Sequence, residues 1–450
     1  MKLYKETEFK ETPIGKIPKK WKIINLGSIA KIYAGNTAPQ DEKYFKNGKY
    51  PFIRVQHLTE LQEQKYPVKY DLINEYAVSD LKLKKFKKGS IIFPKSGESI
   101  RLEKRAILKE DSYVVNHLAV VEPFHENIDN LFLFYYLCTV KTSNYLLKTT
   151  MPSLNLSTIS NFLVPLPPIK EQQTIADILS TVDKAIQRTD EIIAKTERLK
   201  KALMNVLLMG RIRVREENGK PVFYRETEFQ KTEIGKIPRE WKIVYLGELF
   251  EFQRGLSYRK NDLSSTRASI RFVTINDLEK EGGWKHNGEP VYLSDGFKGK
   301  IEKKHVVDAG DLLIAITDMS KGFIIGAPLY INEDLRSQGE ILVYSMDLVK
   351  LQPKKQVNAL FYYYQLSWSE VRKTMKSLAR GTNVLHLDLN SVKRIKLVEP
   401  PLDEQQRIAE ILSIVDRVIE LYREERIRLD RLKRGLMDLL LTGKVRVVED

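Results

Sequence analysis

Residues 167–186 read PPIKEQQTIADILSTVDKAI and residues 400–419 read PPLDEQQRIAEILSIVDRVI, almost the same text 233 positions later. The match continues through LKKALMNVLLMGRIRV (199–214) and LKRGLMDLLLTGKVRV (432–447). A second pair lies 220 positions apart: KETEFKETPIGKIPKKWKIINLGSIAKIYAG (5–35) and RETEFQKTEIGKIPREWKIVYLGELFEFQRG (225–255). Between the matching stretches only echoes survive, FIRVQHL (52–58) with FVTINDL (272–278) and NLFLFYYLCT (130–139) with NALFYYYQLS (358–367). Solenoid repeats run about 20–50 residues, so a period this long is an internal duplication. The chain is two copies of one unit, a divergent globular part followed by a helix.

The ends of the copies constrain topology. In mid-chain GRIRVREENGKPVFYRETEF (210–229) is continuous, whereas GKVRVVED (443–450) and MKLYKETEF (1–9) are its two halves at opposite termini. This predicts a pseudo-twofold, nearly circular molecule with neighbouring termini. A plain tandem duplication with distant ends is the alternative.

From Glu171 to Met209 there is no Pro or Gly, and Pro167, Pro168 and Gly210 bracket the run as start and stop signals. Apolar residues recur every three or four positions, at Ile175, Leu179, Val182 and Ile186 and again at Ile408, Leu412, Val415 and Ile419. One helix over 171–208 would be roughly 57 Å long. A helix of that length needs a partner, and under the pseudo-twofold the other copy supplies it, antiparallel. Ordinary core helices of two large domains are the competing reading. The expected class is α+β: two globular α/β domains joined by two long antiparallel helices forming a coiled-coil spacer. The expected segments are 1–166, 167–212, 213–399 and 400–450.

Formal net charge is +16, and its placement narrows the partner. Residues 170–208 carry seven Lys/Arg against six Asp/Glu and 403–444 carry nine of each, so about +15 lies elsewhere. Such an excess points to a polyanion, usually nucleic acid. Cys138 is the one cysteine, which excludes a disulfide framework and suits a reducing compartment. The charged start MKLYKETEFKET does not read as a signal peptide, and LFLFYYLCTV (131–140) is too short to span a bilayer, so a soluble cytoplasmic protein is expected.

No Walker A loop, H-E-x-x-H, zinc pattern or G-x-S-x-G elbow is present. Neither D-P-P-Y nor N-P-P-[YF] occurs, and no Pro is followed by Asp, which removes the usual amino-methyltransferase and nuclease motifs. No cofactor, metal or catalytic residue is expected. FPKSGES (93–99) could cradle a phosphate. What remains is polar loop text of the kind that reads base edges or holds phosphates. In the first copy the candidates are Tyr33, Asn36 and Thr37, then Gln56 and His57. Lys95, Ser96, Arg101 and Arg105 follow, with Asn116 and Lys148 beyond them. In the second copy they are Arg254, Tyr258 and Arg259, then Asn276 and Lys321. Arg336, Gln338, Arg380 and Asn383 complete the set.

Taken together, PLPPIKEQQTIADILSTVDKAI, its copy VEPPLDEQQRIAEILSIVDRVI, the LKKALMNVLLMG/LKRGLMDLLLTG pair and the IGKIP-x-x-WKI openings resemble the specificity (S) subunit of Type I restriction–modification enzymes. The resemblance covers essentially the whole chain. It implies two target-recognition domains, each reading one half of a split, asymmetric site in double-stranded DNA. It implies that the helices set the gap and dock two methyltransferase subunits, which bind S-adenosylmethionine and methylate adenine. Restriction subunits, when added, would cleave unmodified DNA, and this chain would be non-catalytic. Partner contact is expected at Glu171, Gln172, Gln173 and Lys200 and at Glu404, Gln405, Gln406 and Lys433. An interaction scaffold without nucleic acid, and a fused methyltransferase or nuclease with diverged motifs, remain as alternatives.

Overall fold

The structure is a computed structural model and describes residues 2–59, 65–67, 69–146, 152–285, 289–319, 322–335 and 340–448. The chain forms two compact units: residues 1–192 with 422–450, and residues 193–421. These bodies cut across the four sequence segments, because each long helix contributes one half to each unit. The helices of interest are α1 (Asn130–Thr139), α2 (Ile169–Leu207), α3 (Ala359–Ser367) and α4 (Leu402–Leu441).

The first unit is built on an antiparallel sheet ordered Ala30–Ala34, Leu118–Pro123, Ile91–Pro94, Ala106–Ile107. Successive strand residues point to opposite faces, and here both faces are covered. Ile91, Phe93, Ala119 and Val121 face the core that holds α1, while Ile92, Val120 and Ala106 face a second core with Phe52, Leu58 and Phe86. That is why the strand texts IIF and LAVV are continuously apolar. Helix α1 is apolar on all sides and buried from Phe132 to Leu137, and the Asp129 carboxylate accepts from the Phe132 amide at 2.8 Å to start it.

The second unit repeats this plan. Its sheet runs Phe250–Arg254, Leu348–Pro353, Leu312–Ala315, Pro328–Tyr330, with Leu312, Ile314, Val349 and Leu351 toward α3 and Leu313, Ala315 and Leu348 toward the other core. Asn358 caps α3 through the Phe361 amide at 2.8 Å. After α3 the second copy adds a helix, Ser369–Ser377, where the first copy has the single turn Thr142–Tyr145.

Within each unit the helix halves run antiparallel. In the first, Asp183 meets Lys433 at 2.8 Å and Asp190 meets Arg426 at 2.9 Å, seven residues on along one helix and seven back along the other. In the second, Lys200 meets Asp416 at 2.6 Å. Asp183 and Asp416 are equivalent positions, as are Lys200 and Lys433, so one ion pair is made twice with its ends exchanged. The apolar seam repeats likewise: Ile175, Leu179, Leu436 and Leu440 share the first core, and Ile408, Leu412, Leu203 and Leu207 share the second.

The termini close on each other. Lys2–Lys5 pairs antiparallel with Val445–Val448, Lys5 opposite Val445. In the second unit the hairpin Ile212–Glu217/Lys220–Arg225 sets Arg225 opposite Ile212, the same register at the equivalent residues. Its turn is Asn218-Gly219 with φ of 53° and 74°, the positive pair that a two-residue hairpin favours. The tandem arrangement with distant ends is thereby excluded. A chain with its termini joined and opened at Asn218-Gly219 should fold with close to the parental melting temperature, checked by circular dichroism. An unfolded product would contradict the closure.

Candidate nucleic-acid interface

At one edge of the first unit's sheet the backbone draws five segments together. Gly35 lies so close to the neighbouring chain that a Cβ there would sit 2.2 Å from the Val115 carbonyl oxygen. The Asn36 amide donates to Val114 O at 2.6 Å, Asn116 N to Asn36 O at 2.7 Å and Val115 N to Ile53 O at 2.9 Å. Lys95 N donates to His117 O at 2.9 Å, and Leu154 N to Lys95 O at 2.8 Å. Residues 35–37, 53–57, 95–97, 115–117 and 152–154 therefore form one loop cluster. Thr37, Gln56 and Asn116 are exposed in it, and Lys95 and Ser96 are half-buried.

Other candidates turn out to support the cluster. The Asn36 side-chain amide grips the Lys84 backbone, donating to O at 2.8 Å and accepting from N at 2.6 Å, and also donates to Val114 O at 3.3 Å. That grip places Lys84 Nζ 3.0 Å from the Tyr33 ring centroid, a cation–π contact on an exposed lysine that the sequence did not single out. His57 is buried, its Nδ1 accepting from the Arg54 amide at 3.0 Å. Arg105 is buried too, bonded to Glu103 at 2.7 Å and to Val140 O at 2.6 Å. Arg101 is exposed and pairs with Glu98 at 3.0 Å. In the stretch 93–99, offered as a phosphate cradle, two amides are already taken, Gly97 N by Pro152 O and Lys95 N by His117 O, and the 3₁₀ helix that follows spans Glu98–Leu102. His117, exposed and with Nδ1 2.7 Å from Ser96 Oγ, joins the cluster although only its neighbour Asn116 was singled out. Lys148 lies outside the described residues.

The second unit uses the same backbone bonds. A Cβ on Gly255 would sit 2.3 Å from Ser345 O. Leu256 N donates to Tyr344 O at 2.8 Å, Met346 N to Leu256 O at 2.8 Å, Ser345 N to Val273 O at 2.9 Å and Ile316 N to Asp347 O at 2.9 Å. Around this frame Arg254, Arg259, Asn276, Arg380 and Asn383 are exposed, and the half-buried Tyr258 meets Phe272 edge-on at 4.7 Å. Arg380 pairs across to His386, which pairs to Thr317, forming a small ribbon at this edge. Lys321, Arg336 and Gln338 lie outside the described residues. Sequence reasoning missed Met319 and Met346, 68% and 47% exposed, because exposed methionines carry no polar signature. An apolar side chain at such a place suits a thymine methyl group.

The frame is constant and its side chains are not. Where the first unit presents Asn116 and His117, the second presents Met346 and Asp347 on the same backbone bonds.

The doubled E-Q-Q passage has an internal role in four of its six residues. Glu171 takes Arg446 Nε and Nη2 at 2.7 and 2.8 Å and Trp21 Nε1 at 3.2 Å, while Glu6 holds the other arm of Arg446 at 2.7 Å. Glu404 takes Arg213 at 2.7 and 2.8 Å and Trp241 at 3.0 Å, with Glu226 and Glu240 also on Arg213. Gln172 accepts from the Asp129 amide and donates to Asn127 O and Pro167 O; Gln405 accepts from Asn358 N and donates to Pro400 O. These four are buried, so the outward-facing members are Gln173 and Gln406. Lys200 and Lys433 are held in the helix seam by Asp416 and Asp183.

Glu103 carries a testable acid response. Burial opposes its ionisation, but the Ser143 amide, the Thr142 hydroxyl and the Arg105 guanidinium outweigh burial and hold its carboxyl at about 2, against an ordinary 4.5. A depressed carboxylate adds stability above its unfolded value and loses it as pH falls through the folded value. Wild type should therefore exceed Glu103→Gln in stability above about pH 4.5, with the difference fading towards pH 2. Urea titrations at several pH values check this; a pH-independent difference would contradict it.

Among the described residues no three His, Cys, Asp or Glu are grouped to hold a metal, and no helix is long and apolar enough to cross a membrane. The family model for the Type I restriction modification DNA specificity domain matches residues 18–198 and again 238–431. Over 99% of both chains, this protein is 28% identical to the putative type I restriction enzyme MjaX specificity subunit of Methanocaldococcus jannaschii. It is 27% identical to that organism's MjaVIII specificity subunit over 99% of this chain and 98% of the relative. The crystal structure of a Type I restriction–modification S subunit from M. genitalium shares the fold, with TM-score 0.58 at 15% identity over 94% of this chain and 96% of that one. With the domain present twice and full-length relatives so named, the chain belongs to the specificity (S) subunits of Type I restriction–modification systems.

Proposed function

We propose that each unit reads one half of a bipartite, asymmetric DNA site, and that the paired helices set the gap and carry two methyltransferase subunits. The observation that carries this is the constant loop frame with unlike side chains. Two readers built on one frame but armed with Asn116 and His117 in one case and Met346 and Asp347 in the other suit two different half-sites. Positive charge outside the helices supplies the sequence-independent attraction to phosphates. The chain itself contributes recognition in the cytoplasm and leaves methyl transfer to its partners. Restriction subunits would join the same assembly.

The test is to delete seven residues, two helical turns, from the corresponding place in each long helix and to select bound sequences from a random duplex pool. The gap should change while both half-sites stay as they were. An altered half-site with an unchanged gap would overturn the spacer role.

A further inference from the structure

Helices α1 and α3 end in the same way on different residues. Val140 closes α1, its amide donating to Leu137 O at 3.2 Å, and Trp368 closes α3, its amide donating to Gln365 O at 3.2 Å. In the second unit the Trp368 ring packs on the core, and its Nε1–H donates to Asn205 Oδ1 at 2.7 Å. The position equivalent to Asn205, 233 residues on, is Asp438. In the first unit Val140 stands at the tryptophan's position and is too short to reach as far, and the nearest ring is the exposed Tyr145, 4.8 Å from Phe162.

A groove of about 480 Å³ opens there, lined by Val140 and Asp438 themselves with Ile17, Tyr136, Phe162 and Met437. All of these belong to the first unit, so the groove is internal to one compact body. Its rim carries the exposed Lys141 and Arg434, together with Lys16, which pairs with Glu11 at 3.3 Å, and the carboxylate of Asp438, which Lys444 neutralises at 2.9 Å.

We propose that this groove receives an aromatic side chain, an indole by preference, from an acidic segment of a partner protein. Trp368 in the second unit is the template: the same helix end, the same facing position and an indole N–H given to a side-chain oxygen. The exposed ring of Tyr145, backed by Phe162 at 4.8 Å, supplies the ring contact, and the basic rim selects acidic neighbours around the inserted ring. The Asp438 carboxylate has lone pairs to spare for an indole N–H beyond those that Lys444 occupies. Because Trp368 fills the counterpart, a partner using this contact engages the first unit alone. This assignment is independent of the DNA-reading proposal.

The full-length chain is titrated with the peptide acetyl-Glu-Trp-Glu-amide, followed by protein-detected NMR, with acetyl-Glu-Ala-Glu-amide as control. Wild type should bind the tryptophan peptide saturably and the alanine peptide at least about tenfold more weakly. Val140→Trp, which copies the second unit, should remove binding while keeping the parental melting temperature. Should that variant fail to fold, the exposed change Lys141→Glu should still weaken binding severalfold. No binding by wild type, equal binding of both peptides, or equal binding by wild type and the folded variants would overturn the proposal. Self-association of wild type that Val140→Trp abolishes would overturn it too, by giving the groove to a second copy of the chain.

Discussion

Glu171→Ala should destabilise the chain by about 3–5 kcal/mol, the cost typical of removing one partner from a buried ion pair. Glu171 and Arg446 are each 5% exposed, and the carboxylate takes two guanidinium bonds and the Trp21 indole N–H. Its loss leaves Arg446 with Glu6 alone and Trp21 Nε1 without its acceptor. Arg446 sits on the C-terminal strand that pairs with Lys2–Lys5, so the terminal pairing should open before the rest of the unit. Urea denaturation measures the loss, and limited proteolysis at the two ends locates it. Glu404→Ala should cost less, because Arg213 retains both Glu226 and Glu240. A loss below about 1 kcal/mol for Glu171→Ala, as at an exposed pair, would contradict the buried role.

Gly35→Ala and Gly255→Ala should each damage recognition of one half-site and spare the other. The added Cβ at Gly35 would lie 2.2 and 2.4 Å from the Val115 and Val114 carbonyl oxygens, and at Gly255 2.3 and 2.4 Å from those of Ser345 and Tyr344. These are backbone atoms on a buried strand end, so relief requires moving the loop. The bonds lost are those that align Asn36 with Asn116 in one unit and Leu256 with Met346 in the other. Overpacking of this kind costs about 1–3 kcal/mol, which a whole unit tolerates but a loop frame does not. Binding to duplexes with either half-site scrambled separates the effects. Equal damage to both half-sites by one glycine change would contradict independent reading.

The repeat offsets made the duplication, the helix starts and the closing of the termini legible, because those features are local text that recurs. Burial of Glu171 was not legible. Glutamate on a helix reads as a surface residue, and its neutralising arginine lies 275 positions away at the other end of the chain. Burial of His57 and Arg105 was equally hidden: beside the local partners Arg54 and Glu103, His57 lies 3.7 Å from Asp71 and Arg105 reaches Val140 O at 2.6 Å, both far along the chain. The compact units were hidden for a related reason: each is sealed by helix halves from both copies, so cutting the chain into consecutive segments divides the packing. Lys84, His117 and Met346 reach the loop edge only because the strands bring distant turns together.

The most direct measurement is a map of methylated adenines in DNA modified by this chain assembled with its methyltransferase subunits, before and after residues 36–160 are exchanged for those of a relative. The expected result is a split motif with a fixed unspecified gap, of which the exchange rewrites one half and leaves the gap and the other half untouched. A continuous motif, or an exchange that alters both halves, would contradict two independent readers on one helical frame.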